Sequence, residues 1–402
     1  MLRRLGDGLI IGLIAVTLLL LLEGVLRLVS GGGITPAERM PHPVYLVQAV
    51  PGTEHVFQRT EENGGQSITY RVNTSGFRGP EVQVEKTTPR IMIYGDSNVQ
   101  ARFSEFSATY GEQLRKLIAR RLEKDVQVLN AGVAGFGPDQ TALRLEEEID
   151  RWKPDLVIVH IFADNDFGDL FRNKLFRQNE AGEIVPNRDV EIPHQGRLLW
   201  LRELQLYRVL HRVKRALEGD GPGPTDARGV ATSHLQRAIS KNESDFESYL
   251  ESSVISSGDA YDADLALFPR QPSSRTKKAL MAHVLRLIDG TVSQREGIQL
   301  LFLVQPSIVD VSGDNYYFDY EDLAAASPHY DRRRLSRIPT ELLREQGSHV
   351  LNLYEYFVRD RHNELYFRGG DNHWNDAGQA LAAELTAEYL ERHLMLAGLN
   401  HP

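Results

Sequence analysis

Apolar and polar positions change their rhythm several times along the chain. Leu9 to Leu22 is apolar apart from Gly12 and Thr17, and Arg3 and Arg4 precede it. A basic start followed by an apolar run is the layout of signal peptides and signal anchors. Carried on to Val29, the run reaches the ~20 residues that span a bilayer. It then takes in Glu23 and Arg27, which lie four apart on a helix and can pair near the interface. The pattern predicts an uncleaved transmembrane anchor over residues 1–33. The alternatives are a leader cleaved near Ser30 to Gly33, where no A-x-A pattern stands, and a buried helix of a soluble domain. Residues 41–88 read as short strands and turns, with strict alternation at Ser67-Ile68-Thr69-Tyr70-Arg71-Val72 and a break at Gly64-Gly65. From Arg90 the rhythm becomes strand, helix, strand, helix. The strands are Ile91 to Tyr94, Val126 to Leu129 and Leu156 to Phe162, and a helix runs from Pro138 to Trp152. About a hundred polar residues interrupt this alternation at 170–275. They include a basic helical stretch, Leu199 to Leu217, and a loop, Gly219 to Gly229. Helix Lys277 to Asp289, strand Gln299 to Val304, helix Arg332 to Gln346, strand Val350 to Tyr354 and helix Ala377 to Leu394 resume it.

Continuous apolar runs of this length are what central parallel strands covered by helices look like. Strands alternating with helices imply right-handed crossovers. The expected fold is therefore α/β: a doubly wound, mostly parallel, flavodoxin-like sheet with helices on both faces, preceded by a transmembrane helix. The expected division is an anchor and tether at 1–33, a small β-rich segment at 34–89, and a main domain at 90–398 with an insertion or lid at about 170–275.

Composition narrows the function. The 402 residues are 41% hydrophobic and 25% charged, ordinary values for a folded protein. Lys plus Arg number 46 against 55 Asp plus Glu, a formal charge of −9, which argues against a broad nucleic-acid surface. There are no cysteines, so disulfides, thiolate metal sites and cysteine nucleophiles are excluded.

In an open α/β sheet, ligands bind outside the carboxyl ends of the strands. Four polar clusters fall there: Gly95-Asp96-Ser97-Asn98, Gly132-Val133-Ala134-Gly135-Phe136-Gly137, Asp164-Asn165-Asp166 and Asp371-Asn372-His373-Trp374-Asn375. A serine hydroxyl is a poor nucleophile until a base takes its proton. His373 is the candidate base for Ser97, and Asp371 the group that orients the ring and stabilises imidazolium. An oxyanion needs preorganised donors. The backbone N–H of Ser97, the N–H of Gly135 and the side-chain amide of Asn165 supply three, with Gly132 the less favoured alternative to Gly135. Asp96 and Asp166 read as residues that hold their turns, His160 as a satisfied core histidine, and Asn375 or Asp376 as the N-cap of the last helix. A metal site built from Asp164, Asp166, Asp371 and His373 is the weaker reading of the same clusters, and no cofactor is expected.

Taken together, Gly-Asp-Ser after the first strand, a glycine after the second, Asn-Asp after the third and Asp-x-His near the end resemble the SGNH (GDSL) hydrolases over roughly residues 90–395. The resemblance implies a serine esterase or acyltransferase with Ser97 as nucleophile, Ser97, Gly135 and Asn165 as the oxyanion hole, and His373 with Asp371 completing a triad. Two departures stand out: Ala163 occupies a place that is usually glycine, and the last block has Asp371 two residues before His373, where the commoner spacing would put an aspartate at Gly370. The closer spacing, followed by Trp374-Asn375, is similar to the alginate O-acetyltransferase branch, whose members act on polysaccharide outside the inner membrane. The resemblance and the anchor together imply a single-pass protein of the cytoplasmic membrane with its catalytic domain on the periplasmic side. The implied substrate is a small acyl ester or glycan of the envelope or of an exported polysaccharide. A lipid esterase or lysophospholipase, and a non-catalytic glycan-binding or assembly protein, are the competing functions.

Overall fold

The structure, a computed structural model, describes residues 14, 16–26, 28, 37–191, 206, 226–311, 317–360 and 364–399. The chain divides into two compact units. One comprises Met1–Ala37 with Ile192–Gly223, and the other Glu38–Glu191 with Pro224–Pro402. In the first unit the described positions Ile14, 16–26 and Leu28 are helical, and their large aliphatic side chains are exposed except that of Leu26, which is half-buried. Among the described residues no helix is long and apolar enough to cross a membrane. The expected span, Leu9 to Leu22 and on to Val29, lies partly outside the described residues. So does almost all of the basic stretch Leu199 to Leu217.

The second unit is built on five parallel strands: β5 (Arg90–Tyr94), β6 (Gln127–Asn130), β7 (Leu156–Ala163), β10 (Gln299–Pro306) and β11 (His349–Asn352). Their order across the sheet is β11-β10-β7-β5-β6. Ranked by sequence among the five, that order is the 2-1-3-4-5 arrangement of flavodoxin-like doubly wound sheets, whose switch point lies between the first and third strands. Here those strands are β5 and β7, paired from Ile91 opposite Leu156 to Tyr94 opposite Val159. Every residue of both is buried, which requires cover on each face. The cover comes from α2 (Tyr110–Leu122) packed with α8 (Asp376–Arg392), and from α3 (Pro138–Trp152) packed with α6 (Pro272–Ser293). Pro138 at the first helical position and the Gly137–Gln140 bond start α3.

Residues 38–89, set apart in the sequence as a β-rich segment, belong to this larger unit. They form two antiparallel hairpins, β1 (Arg39–His42) with β2 (Leu46–Ala49) and β3 (Glu54–Gln58) with β4 (Ser67–Arg71). The alternation seen in the sequence is real in β4, where Ile68 and Tyr70 point inward. The insertion also has order that its polar composition concealed. After α4 (Asp166–Asn173), the β8 (Phe176–Gln178) and β9 (Ile184–Pro186) strands make a third hairpin. A 25-residue helix, α5 (Ala227–Glu251), then packs on α4. The described end of the expected Gly219 to Gly229 loop is the start of α5, capped by Asp226, whose carboxylate accepts the Gly229 N–H. Helix α7 (Arg334–Glu345) covers β10 and β11.

Candidate active site

Strand β5 ends at Tyr94, and the chain turns at Gly95 into a single helical turn, α1 (Ser97–Gln100). Gly95 has no room for a side chain: a Cβ there would lie 2.6 Å from Val99 and 2.9 Å from His160. Asp96 caps the turn, its Oδ1 accepting the Asn98 N–H at 2.8 Å, which fits the turn-holding role read from the sequence. Ser97 is thereby presented at the carboxyl end of β5, beside the switch point. Asn98 is wholly buried. Its Oδ1 accepts from the Trp374 N–H at 3.1 Å and from Gln305 Nε2 at 3.2 Å, and its carbonyl accepts from Gln379 Nε2 at 3.0 Å. One side chain thus ties the Ser97 turn to the Trp374 segment and to the end of β10.

The imidazole arrives from the far end of the chain. Gly369 and Gly370 both have left-handed backbone, φ +80° and +76°, so the chain reverses sharply just before Asp371. Asp371 Oδ1 then accepts the backbone N–H of His373 at 2.9 Å and lies 2.5 Å from its Nδ1. The reversal is the physical reason that two residues of spacing suffice here, and that the distal position is a glycine. His373 Nε2 lies 2.7 Å from Ser97 Oγ across 276 residues of sequence. Serine, imidazole and carboxylate are therefore hydrogen-bonded in series. Burial alone would depress the His373 imidazolium, but the bond and charge of Asp371 outweigh it and the net shift is upward. Asp371 is held below its ordinary value, its own burial being outweighed by the same partner. Asp371 is thus held ionised beside the ring.

The structure places Gly135 and Asn165 in the loops that follow β6 and β7. Gly135 is exposed with φ +78°, and its neighbour Ala134 offers its carbonyl to Arg39 at 2.6 Å. Gly132 serves packing: a Cβ there would run into Val99 and the backbone of Gln100. Asn165 is buried, its Nδ2 3.3 Å from Asp169 Oδ2, and its Oδ1 has no partner among the described residues. Asp166 accepts the Phe162 N–H at 2.7 Å and so anchors its loop. Asp164 Oδ2 accepts from Asn372, the residue between Asp371 and His373, at 3.3 Å. That bond joins the Asn165 loop to the His373 loop. Among the described residues no three His, Asp or Glu side chains are grouped to hold a metal ion.

Ser97 and His373 open on a shared cleft. Ala101, Arg102, Phe103, Phe367 and Trp374 contribute to its walls, whereas Gly135 and Asn165 do not line it. Arg102, Phe103 and Phe367 carry no periodic or motif signal in the sequence. They become cleft residues only through folding, when Phe103 and Phe367 meet edge to face at 6.1 Å and Arg102 stacks over Phe103 at 4.8 Å. His160 is only half satisfied: Nε2 bonds Gln305 at 2.7 Å, while Nδ1 stands 3.5 Å from Asp96.

Residues 264–401 match the model of an SGNH hydrolase-like domain, that of the acetyltransferase AlgX. This C-terminal part is similar to the SGNH hydrolase-like domain of AlgX. The match contains Asp371 and His373 and ends short of the segments that carry Ser97, Gly135 and Asn165. No curated protein matches the chain. Among solved structures, an acetyl xylan esterase, AlAXEase, is 13% identical with a TM-score of 0.33, covering 74% of this chain and 98% of its own. A lipase/acylhydrolase from Enterococcus faecalis is 12% identical, with a TM-score of 0.35 and coverages of 76% and 97%. A catalytic mutant of an acetylxylan esterase from Geobacillus stearothermophilus is 10% identical, at 0.35, 80% and 98%.

Proposed function

We propose that the protein is a serine-dependent ester hydrolase or O-acyltransferase acting on acyl esters of an envelope or exported polysaccharide. The observation that carries the reading is the series Ser97 Oγ, His373 and Asp371, joined at 2.7 and 2.5 Å. His373 Nε2 takes the Ser97 proton as Oγ attacks the ester carbonyl. The oxyanion of the tetrahedral intermediate is held by the Ser97 N–H, the Gly135 N–H and the Asn165 amide. Collapse expels the alcohol, which leaves with the proton carried by His373, and an acyl-Ser97 ester remains. Water, or a sugar hydroxyl, then attacks that ester with His373 again as base. Water gives the free acid, and the sugar gives an acylated product. Asp371 keeps Nδ1 protonated and stabilises imidazolium without accepting the proton itself.

The aromatic walls of the cleft, Phe103, Phe367 and Trp374, suit the apolar part of an acyl group. The N-terminal apolar run and the AlgX-type match support a site of action outside the cytoplasmic membrane, with residues 1–33 as anchor. The Ser97→Ala variant should lower turnover of p-nitrophenyl acetate by more than about 10³-fold. A fluorophosphonate should label Ser97 in the wild-type protein, as read by mass spectrometry. Retained turnover in Ser97→Ala would remove the serine from the mechanism, and failure of the wild type to label would favour a non-catalytic glycan-binding protein.

A further inference from the structure

The oxyanion amide read onto Asn165 has its own support, built largely from the insertion. Asn165 Nδ2 lies 3.3 Å from Asp169 Oδ2, one helical turn further on. Asp169 Oδ1 receives two bonds from the Arg172 guanidinium, from Nε at 3.1 Å and Nη2 at 2.6 Å. The same Nη2 donates to the Asn165 carbonyl at 3.1 Å, so Arg172 grips both ends of the Asn165–Asp169 contact. Nη1 donates to Asp245 of α5 at 3.0 Å, and Asp259 stands 3.9 Å from Nη2 at the surface. Asn165, Asp169, Arg172 and Asp245 are each no more than 6% exposed. A second brace from the insertion lies beside the first. Asp262 Oδ2 accepts the N–H groups of Phe167 and Gly168 at 3.1 and 3.3 Å, and its own N–H donates to the Asp164 carbonyl at 2.7 Å.

We propose that Asp169, fixed by Arg172 and through it by Asp245 of the insertion, is the positioning residue that orients the Asn165 amide toward the developing oxyanion. This rests on the reading of Asn165 as an oxyanion donor. The argument is one of donor and acceptor roles. An ionised carboxylate only accepts, so it selects Nδ2 over Oδ1 as its neighbour and leaves the second N–H of the amide free to donate. A protonated Asp169 would instead present an O–H, for which the buried and unpartnered Oδ1 is the matching acceptor, and the amide would turn over. Burial outweighs the guanidinium and leaves the Asp169 carboxyl well above its ordinary range, so the two Arg172 bonds to Oδ1 are what favour the ionised, accepting form. Arginine suits this because it stays protonated and its fork matches a carboxylate. The insertion thus acts as the back wall of the site, holding the loop from which Asn165 projects.

The test is a double-mutant cycle on the full chain with p-nitrophenyl acetate. Asn165→Ala should lower kcat about 10²-fold or more. Asp169→Ala should lower kcat roughly 10- to 100-fold with KM within about twofold, and Arg172→Lys should fall between it and wild type. In the Asn165→Ala background, Asp169→Ala should produce no further loss, because the group it positions is gone. Losses that multiply in the double variant, or a KM change without a kcat change, would overturn the proposal. Should Asp169→Ala fail to fold, the near-isosteric Asp169→Asn takes its place under the same criterion. If Asn165→Ala alone leaves kcat unchanged while Ser97→Ala abolishes it, the positioning role falls and the serine mechanism stands. If Ser97→Ala retains turnover, the mechanism itself falls.

Discussion

His373 is the residue on which the proposed chemistry turns, and its environment makes a directional claim about pH. The ring must be neutral to accept the Ser97 proton. Because its pKa lies above the ordinary 6.5, the acid limb of kcat/KM should have its midpoint above that value. In Asp371→Asn the larger upward influence is lost, and burial, which acts downward, is opposed only by the weaker pull of Asp96. The acid limb should therefore move to lower pH, while kcat falls about 10⁴-fold because the ring is no longer held in the needed tautomer. A pH profile of the two proteins checks both statements, and a limb that stays in place in Asp371→Asn would show that Asp371 does not act on the ring. Among single residues, Ser97 was readable because it sits in a short polar cluster directly after a strand, and Asp371 and His373 because they share a second such cluster just before the last long helix. Arg102 and Phe103 were not readable. Nothing in their local pattern separates them from surface residues, and only the docking of the 364–367 strip brings Phe367 against them.

Helix α8 shows how an element can serve stability and geometry through one side chain. Asn375 caps it, Oδ1 accepting the Ala377 and Gly378 N–H groups at 2.9 and 3.0 Å. Its Nδ2 donates to the carbonyls of Glu364 and Tyr366, the latter at 3.0 Å, and so sets the loop that holds His373. Asn375→Ala should lower stability by about 1 kcal/mol and kcat by roughly tenfold or more. Asn375→Ser keeps a capping oxygen but no amide donor, so it should restore the thermal midpoint and leave kcat low. Recovery of both together would reduce Asn375 to a cap. The alternating strands and helices of the sheet were legible because β5, β7 and β10 are dominated by apolar residues, with His160 the one polar residue within β7. Helix α5 was not, for a definite reason. Its buried stripe is Ala231, Leu235, Ala238, Asn242 and Asp245, correctly spaced for a helix but with polar groups that are inside only because they find partners. Asp264 N–H bonds to Asn242 at 3.1 Å, and Asp245 takes Arg172. A hydrophobicity pattern has no access to such pairings.

The larger unit as a whole is knitted by buried charge as well as by its apolar core. Lys277 of α6 has no exposed surface, and its Nζ lies 2.7 Å from both Asp262 and Asp264. Asp262 in turn caps the first turn of α4. Removing the cation leaves carboxylates without compensation in a dry site, so Lys277→Met should lower unfolding stability by about 3–5 kcal/mol. A denaturant midpoint measures this. A loss under about 1 kcal/mol would mean that water reaches the cluster. The strand order, by contrast, depends on long-range pairing that local pattern does not encode, although alternation of strand and helix restricts it to a few arrangements.

The distance along the chain between Ser97 and His373 has a consequence for biogenesis. The serine turn emerges from the ribosome 276 residues ahead of the base. On the proposed mechanism, a product terminated before Asp371 carries the hydroxyl without the imidazole and should not turn over esters. On that mechanism competence requires the docking of the segment that carries Asp371 and His373, so the appearance of turnover during refolding would be a direct clock for that closing event.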